Sequence, residues 1–400
     1  MLLNLRLSFC ETISPFIFRS DAMKRNVLAA ALLGVFAIAA QAQSSVTLYG
    51  LIDAGITYTN SQLTNQGGRS NVQMTSGSVE GSRWGLRGAE DLGGGLKAIF
   101  TLESGFNLNN GTFTQNGREF GRQAFVGLSS VDFGALTFGR QYDSMIDFVG
   151  PLALTGTAYG GTHFAHPFNN DNLNNNSFSI NNSVKYQSAN YAGFRFGGLY
   201  GFSNAAGAFA NNRAYSVGAS YSWGPLNFGA GYLHLNNGAS SQAAANFNAN
   251  GAVTDGQTLT AARQQTWGAG VNYAFGPAVV GFVYTQTNLT EIFQTGVSTH
   301  IQNFEGNIRY NLTPAMNVSG AYTYSRAGGN TGSGAPHWNQ VGLMADYNLS
   351  KRTDVYLQSV YQSVSTSQNT ALGVAFINGL TAPSSTSNQV EVTAGLRHRF

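Results

Sequence analysis

Apolar and polar side chains alternate at successive positions in many short stretches of this sequence after residue 42. The alternation is clear in Val46–Gly55, in Leu96–Glu103 and in Val355–Val360. Successive residues of a β-strand point to opposite faces, so the pattern predicts strands with one apolar and one polar face. The same part of the chain has no apolar run near the roughly 18 residues that a membrane-spanning helix needs. The sequence is therefore predicted to be all-β.

The composition indicates where such strands would lie. Charged residues make up 10% of the 400 residues, against about 25% in ordinary soluble domains. The mean hydropathy is nevertheless close to zero, and the polar face carries mainly Gly, Ser, Thr, Asn and Gln. A transmembrane barrel reconciles these facts, because lipid-facing apolar residues alternate with lumen-facing polar ones. The chain is predicted to be a transmembrane antiparallel β-barrel with a wet interior.

The connections between the predicted strands fall into two alternating classes. Seven are short and rich in Gly, Pro, Asn or Asp: 90–95, 131–134, 190–193, 223–226, 275–278, 312–315 and 349–353. Eight are long and polar: 59–77, 109–118, 143–178, 204–212, 237–262, 289–300, 327–337 and 364–387. Fifteen connections predict about 16 strands, and short turns alternating with long loops are typical of outer-membrane barrels.

The N-terminus has the features of an export signal. Met23-Lys24-Arg25 precedes an apolar run that ends at Ala40, and Ala40-Gln41-Ala42 fits a small-x-small cleavage site. We expect residues 1–42 to form the signal region, with Met23 as the true start and cleavage after Ala42. Residues 43–400 would then form one barrel domain. A genuinely long segment before Met23 is the alternative, and N-terminal sequencing of the exported protein would decide.

Charge and motifs exclude several classes of function. Removal of residues 1–42, which hold four basic and two acidic side chains, leaves 17 basic and 16 acidic residues. This balance predicts no nucleic-acid partner. The triplet Gly93–Gly95 lacks the strand and helix of a phosphate-binding loop, and His163 and His166 lack a regular metal-ligand spacing. The sequence predicts no catalytic residue, no metal and no cofactor.

Six short segments together resemble the general porins of β-proteobacteria, a Gram-negative family of trimeric porins. They occur in order along the chain after residue 42: Ser45–Asp53, Gly81–Gly93, Arg122–Leu128, Phe138–Tyr142, Asn182–Tyr186 and Gly395–Phe400. The resemblance implies a 16-stranded barrel in the outer membrane, a homotrimer, and a third loop folded into the lumen. One departure concerns that loop, where Phe148–Leu154 replaces the Pro-Glu-Phe-Gly sequence common in relatives.

The resemblance also implies partners. Lipids and lipopolysaccharide of the outer membrane would surround the barrel, and small hydrophilic solutes and ions would pass through it. The barrel-assembly machinery would recognise the terminal aromatic residue, Phe400. The alternation of Val390–Phe400 independently predicts a last strand whose apolar face meets lipid.

Rings of charge at a constriction discriminate between ions, so the rare lumenal charges are candidates for the functional site. Arg83 and Arg87 lie on the face opposite Trp84, and Lys185 lies between Val184 and Tyr186, so all three are predicted to face the lumen. The resemblance places a lumenal arginine at Arg122. Lys97 and Glu103 share an inward face. Arg140 has lipid-facing parity, so we expect it at a rim or beyond a bulge.

The long loop 143–178 supplies the opposite charge. Its acids are Asp143, Asp147 and Asp171. We expect the loop to form the constriction and to face a basic wall, which would create a transverse field and a weak preference for anions. Alternatively, the basic residues could form ordinary ion pairs that brace the loop.

The sequence thus favours a passive diffusion channel and no enzyme activity. A channel biased toward small anionic metabolites would need a denser ladder of basic residues. An outer-membrane barrel enzyme would need a Ser/His or Asp/His pair on one edge. A surface adhesin or structural barrel would show no conductance in a reconstituted bilayer, so conductance separates channels from the other classes.

Overall fold

The computed structural model describes residues 45–174, 176–207, 209–236, 261–292, 297–329, 335–365 and 372–400. The predictions for residues 1–42 and for most of loop 237–262 lie outside these residues. No helix in the described ranges is long and apolar enough to cross a membrane.

Antiparallel strands make up most of the described chain. They are β1 Ser45–Thr64, β2 Gly67–Ser76, β3 Arg83–Gly93, β4 Leu96–Gly105, β5 Gln123–Ser130, β6 Gly134–Gln141, β7 Ile180–Gln187, β8 Phe194–Gly201, β9 Arg213–Trp223, β10 Leu226–Asn236, β11 Ala261–Phe275, β12 Ala278–Ile292, β13 Val297–Asn311, β14 Met316–Gly329, β15 His337–Asn348, β16 Thr353–Ser365 and β17 Asn388–Arg399. Each strand from β3 pairs with its successor in the chain, and β17 pairs with β1. The sheet therefore closes into a barrel.

The 17 strands occupy 16 positions around the barrel. Both β2 and β3 run antiparallel to β1, β2 along Ala54–Thr64 and β3 along Ser45–Leu51. They are two segments of one strand, interrupted at residues 77–82. The predicted 16-stranded barrel is confirmed. The prediction of a long loop at 59–77 is wrong, because β1 and β2 continue as a polar hairpin whose turn is only residues 65–66.

The seven predicted short turns are confirmed, and all lie at the same end of the barrel. Two of them are Gly-Pro turns between β9 and β10 and between β11 and β12. Gly224 and Gly276 each have a φ of +55° there. Glycine adopts this left-handed conformation without steric cost, which suits the twist of a two-residue hairpin.

Burial separates the two faces of the wall. Large apolar side chains such as Val126, Leu343 and Leu357 are exposed on the outside of the barrel. The opposite face bears buried polar residues such as Thr285, Asn303 and Gln358. An exposed apolar band around a polar interior is the pattern of a lipid-facing barrel.

The third long connection, residues 142–179, lies inside the barrel, as predicted. It contains a short helix, Ser144–Phe148, and four 3₁₀ turns at Gly150–Leu152, Leu154–Gly156, Thr162–Phe164 and Pro167–Asn169. The preceding loop contains a left-handed turn at Thr114–Gly117, where Gln115 and Asn116 have φ values of +48° and +60°. We call residues 142–179 the inward loop.

The inward loop packs on apolar side chains of the inner wall as well as on polar ones. One cluster joins Met145, Val149 and Leu152 of the loop to Leu199 of β8 and Leu233 of β10. The wall glycines Gly218 and Gly229 allow this approach, since a Cβ atom there would lie 2.5 Å from Phe148 Cδ2 and 2.0 Å from Phe148 O, respectively. The apolar contacts fix the loop against β8–β10 by burial.

The C-terminal residue closes the seam between β17 and β1. The backbone N–H groups of Gly50 and Phe400 donate to each other's carbonyl oxygens at 3.1 and 3.0 Å. The Phe400 ring covers Gly50, where a Cβ atom would lie 2.3 Å from Phe400 Cζ and 2.7 Å from the backbone oxygen of Arg83. The seam therefore requires glycine at position 50.

We predict that Gly50→Val lowers the free energy of unfolding by about 1–3 kcal/mol, because overpacking forces side chains and backbone to shift. The midpoint of urea unfolding in detergent measures the effect. Gly306→Val is the matched control, since a Cβ atom added to this strand glycine would have no neighbouring atom within 4 Å. An equal loss in both variants would contradict the proposed packing of Phe400 on Gly50.

Candidate functional site: the lumen and its inward loop

Strand register places the predicted wall residues on the inner face. Arg83 and Arg87 lie opposite Leu51 and Thr47 of β1, and Lys185 lies opposite Thr137 of β6. Their neighbours Leu86 and Val184 have the opposite parity and belong to the outer face. The predicted orientation of these three basic residues is confirmed.

Arg83 and Arg122 share a carboxylate. Glu103 Oε1 accepts from Arg122 Nε at 2.7 Å, and Glu103 Oε2 lies 3.9 Å from Arg83 Nε. Arg83 also binds Glu80 at 3.0 Å. Arg122 donates to Asn176 of the inward loop at 2.8 Å and is buried, whereas the Arg83 side chain keeps 20% of its exposure. Arg122 therefore supports the loop, and Arg83 remains accessible from the lumen.

Lys185 anchors the start of the inward loop. Its Nζ donates to the Tyr142 carbonyl at 2.8 Å and lies 2.5 Å from Asp147 Oδ2. Asp143 caps the helix by accepting from Met145 N–H at 2.7 Å and also accepts from the Asn172 amide. Burial raises the pKa of Asp143 to about 7, and the nearby Asp147 adds to this rise. Asp143 and Asp147 thus face the wall and the loop's own backbone.

Asp171 belongs to a buried cluster that the sequence did not reveal. His166 is completely buried between two carboxylates: its Nδ1 lies 2.6 Å from Asp171 Oδ2 and its Nε2 lies 2.9 Å from Glu305 Oε2. Burial alone would favour neutral His166, but the two acids outweigh it and raise the pKa of His166 to about 10. His166 is therefore charged at neutral pH and clamps the loop to β13.

Glu305 also binds the first half of the inward loop. Its Oε1 accepts from the Leu154 backbone N–H at 3.0 Å. Asp171 in turn accepts from Thr285 of β12 at 2.6 Å. Two parts of the loop that are distant in sequence, Leu154 and the segment with His166 and Asp171, are thus bound to strands β12 and β13. We call His166, Asp171 and Glu305 the histidine clamp.

A second network lies where β15, β16 and β17 face the interruption between β2 and β3. Arg397 reaches Glu80 at 3.1 Å, Asp346 at 3.2 Å and Asp354 at 2.9 Å, and donates to the Ala158 carbonyl of the inward loop at 3.2 Å. Arg399 pairs with Glu80 at 3.1 Å and with Asp354 at 2.7 Å. We call this set the seam network.

Arg397, Arg399 and Glu305 were not among the predicted residues, although the alternation contains the signal. Arg397 lies between Leu396 and His398 in a strand whose apolar positions were assigned to lipid. Glu305 follows Phe304, an apolar residue of the outer face, and so has inward parity. Applying the alternation to every charged strand residue would have found all three.

Arg140 lies at a bulge, whereas it was predicted at a rim or beyond a bulge. The register between β6 and β7 shifts between Gly139 and Gln141. Arg140 is buried and donates to the carbonyls of Gly121 and Ser179 at 2.7 and 3.1 Å. The bulge turns its side chain from lipid to the loop ends.

Besides the buried Arg122, which lies over the Tyr142 ring, two inward arginines stack on tyrosine rings. The guanidinium carbon of Arg87 lies 5.2 Å from the centre of the Tyr49 ring, and that of Arg309 lies 4.4 Å from the centre of the Tyr159 ring. Arg87 is exposed and Arg309 is half-buried. Their positive charge is therefore accessible from the lumen.

The acids of the lumen are less accessible than its bases. Buried carboxylates include Asp53, Glu80, Glu103, Asp143, Asp171, Glu305, Asp346, Asp354 and Glu391. Arg83 and Arg399 keep 20% and 35% of their side-chain exposure, and Arg87 is exposed. A mobile ion in the lumen thus meets more positive than negative charge within the described part of the chain.

Sequence comparison gives matches along most of the chain. A family model described as Gram-negative porin matches residues 29–369. An outer membrane porin protein of Bordetella pertussis is 34% identical, covering 94% of this chain and 100% of that protein. Outer membrane porin protein 32 of Delftia acidovorans is 30% identical with the same coverage.

Solved structures share the fold. An anion-selective porin from Comamonas acidovorans superposes with a TM-score of 0.69 at 25% identity, covering 90% of this chain and all of that one. OmpT of Vibrio cholerae in a trimer form has a TM-score of 0.63 at 16% identity, covering 89% and 99% of the two chains. The second likeness concerns the fold alone.

Proposed function

We propose that this chain, which belongs to the Gram-negative porin family and is an outer membrane porin, is a passive and weakly anion-selective diffusion channel for small hydrophilic solutes and ions. Its family consists of channels, and we propose that it catalyses no reaction. The anion preference rests on one observation: accessible lumenal charge is mainly arginine, while the carboxylates are buried.

The constriction, in this proposal, lies between the inward loop and the wall that bears Arg83 and Arg87. Arg122 and Lys185, together with Asp143, Asp147 and Asp171, hold the loop in place, because each of them is engaged by the loop or the wall. Both alternatives from the sequence, lining and bracing, then apply to different residues. The name of the Comamonas protein, an anion-selective porin, is consistent with this assignment.

The reversal potential across a planar bilayer with a KCl gradient tests the selectivity. We expect a reversal potential whose sign indicates chloride preference. The ratio of chloride to potassium permeability should be below about tenfold, because water and salt screen exposed charges. Arg83→Ala should raise cation permeability and shift the reversal potential toward zero. A reversal potential with the sign of potassium preference in the unmodified protein would contradict anion selectivity.

Three further parts of the proposal concern assembly. We propose that the chain forms a homotrimer. A band on a denaturing gel whose apparent mass falls only after the sample is boiled would support this. Phe400 is proposed to act also as the signal for barrel insertion, and deletion of this residue should reduce the yield of membrane-inserted protein. The mature chain is proposed to begin at Gln43, and N-terminal sequencing of the exported protein tests that start.

A further inference from the structure

Arg309 lies on the inner face of β13, near the short-turn end of the barrel. It is flanked in sequence by Ile308 and Tyr310, both exposed on the outer face. The register places it opposite Val279 of β12 and Ser319 of β14. Glu305 and Asn307, on the same face of β13, bind the inward loop. Arg309 is therefore the next inward residue below the attached loop.

The Tyr159 ring holds the Arg309 side chain by its flat face. The distance of 4.4 Å from guanidinium carbon to ring centre is within the range of a cation–π contact. Tyr159 is itself held, because its carbonyl accepts from Ser319 Oγ at 2.5 Å and the preceding Ala158 carbonyl accepts from Arg397 at 3.2 Å. The guanidinium group thus has a fixed position, with no ion pair to any residue that the structure describes.

Other inward arginines use their N–H groups differently. Arg122 and Arg397 direct these groups, which lie in the guanidinium plane, at carboxylates. Within the described residues Arg309 has no carboxylate oxygen within 4.0 Å, and its Nε is buried without a hydrogen-bond partner. Because stacking occupies the face of the guanidinium and leaves its edge, the two terminal nitrogens of Arg309 keep N–H donors for a ligand.

The neighbours of Arg309 favour an anion over a cation. Asn311, Asn317 and Ser319 are neutral residues on the same inner face. Asp346, reached through Asn317, is already paired with Arg397 at 3.2 Å. A compact oxyanion would accept hydrogen bonds from the N–H groups of Arg309, since a guanidinium group binds phosphate and carboxylate groups through two parallel hydrogen bonds.

We propose that Arg309, positioned by Tyr159, forms an anion-binding subsite for small phosphates and carboxylates on the short-turn side of the inward loop. This subsite rests on the proposed function as a channel and adds a ligand class to it. Anions that pass the constriction would pause there, so that phosphate would compete with chloride for passage.

Reduction of chloride current by inorganic phosphate in planar bilayers tests the subsite. We expect phosphate to reduce the chloride current of the unmodified channel in a saturable way. In Arg309→Gln the phosphate concentration that gives half of this reduction should rise about tenfold or more, because a hydrogen-bonded charge partner is lost. Tyr159→Phe should behave like the unmodified channel, because it keeps the ring, and Tyr159→Leu should weaken the phosphate effect several-fold.

Arg195→Gln is the matched control. Arg195 is an exposed inward residue of β8 near the short-turn end, so its loss removes the same charge from the lumen. We expect it to change the reversal potential slightly and to leave the phosphate effect intact. Heat-modifiable migration of each variant confirms that the barrel has folded.

Two outcomes would overturn the subsite: no saturable phosphate effect in the unmodified channel, or an effect that Arg309→Gln and Arg195→Gln weaken equally. Neither depends on the potassium–chloride reversal potential. A channel that prefers potassium in KCl but still loses its phosphate effect in Arg309→Gln would refute the proposed selectivity and support the subsite.

Discussion

Replacing Arg397 with glutamine is expected to lower the free energy of unfolding of the barrel by about 3–5 kcal/mol, the usual cost of removing one partner from a buried ion pair. Arg397 is buried and contacts carboxylates on β15, on β16 and at the interruption between β2 and β3. Without it, Asp346 loses the cation that neutralises it among the described residues. The midpoint of urea unfolding in detergent is the measurement.

Two variants make the Arg397 result specific. Arg397→Lys keeps the positive charge without the planar fork and should recover part of the lost stability. Arg195→Gln removes an exposed inward arginine and should leave the midpoint almost unchanged, because exposed charges contribute little. A midpoint for Arg397→Gln equal to that of Arg195→Gln would show that the seam network does not stabilise the barrel.

Replacing His166 with glutamine is expected to release the inward loop and to make the open-channel current unstable. The charged imidazole joins Asp171 and Glu305 at 2.6 and 2.9 Å, and its loss leaves two buried acids without their shared cation. The free energy of unfolding is again expected to fall by about 3–5 kcal/mol. Single-channel recordings at pH 6 should show frequent current steps in this variant and a steady current in the unmodified protein.

The pH dependence of the unmodified channel follows from the raised pKa of His166. The ordinary pKa of histidine is 6.5, and that of His166 in the folded protein is about 10. The contribution of charged His166 to the stability of the folded loop is therefore complete below about pH 6.5 and is lost as the pH rises through 10. His166 lowers the pKa of Asp171 despite its burial, so the carboxylate contribution is lost only in acid. We expect current steps to appear in the unmodified channel as pH 10 is approached.

His337→Gln provides the control for these recordings. His337 begins β15 with outward parity and contacts Tyr324, away from the inward loop. Its loss should leave the current steady at pH 6 and the alkaline transition unchanged. If His166→Gln were as steady as His337→Gln at pH 6, the histidine clamp would not hold the loop.

The barrel could be predicted from the sequence because its wall obeys a local rule. Each strand repeats the alternation of apolar and polar residues, so the orientation of Arg83 or Lys185 follows from two flanking residues. The hairpin of β1 and β2 was missed because its residues 61–71, apart from Leu63, are polar or glycine on both faces, like those of a loop. Alternation indicates a strand only where one face meets an apolar medium.

The interior of the barrel was less predictable because its contacts are not local. His166 and Glu305 are 139 residues apart in sequence, and no spacing rule joins a loop histidine to a strand glutamate. Of the three loop aspartates that were expected to oppose a basic wall, Asp147 pairs with Lys185 of that wall, whereas Asp143 caps a helix and Asp171 belongs to the histidine clamp. Arg140 shows the same limit, since one bulge reverses the parity of its side chain.

The attachment of the inward loop also has a consequence for the order of assembly. The loop is complete at residue 179, yet its partners extend to Glu305 on β13, Gln358 on β16 and Arg397 on the final strand. A loop cannot bind wall positions that have not yet been brought together, and contacts distant in sequence form late. The passage through the membrane therefore acquires its final width only when the last strand joins the first.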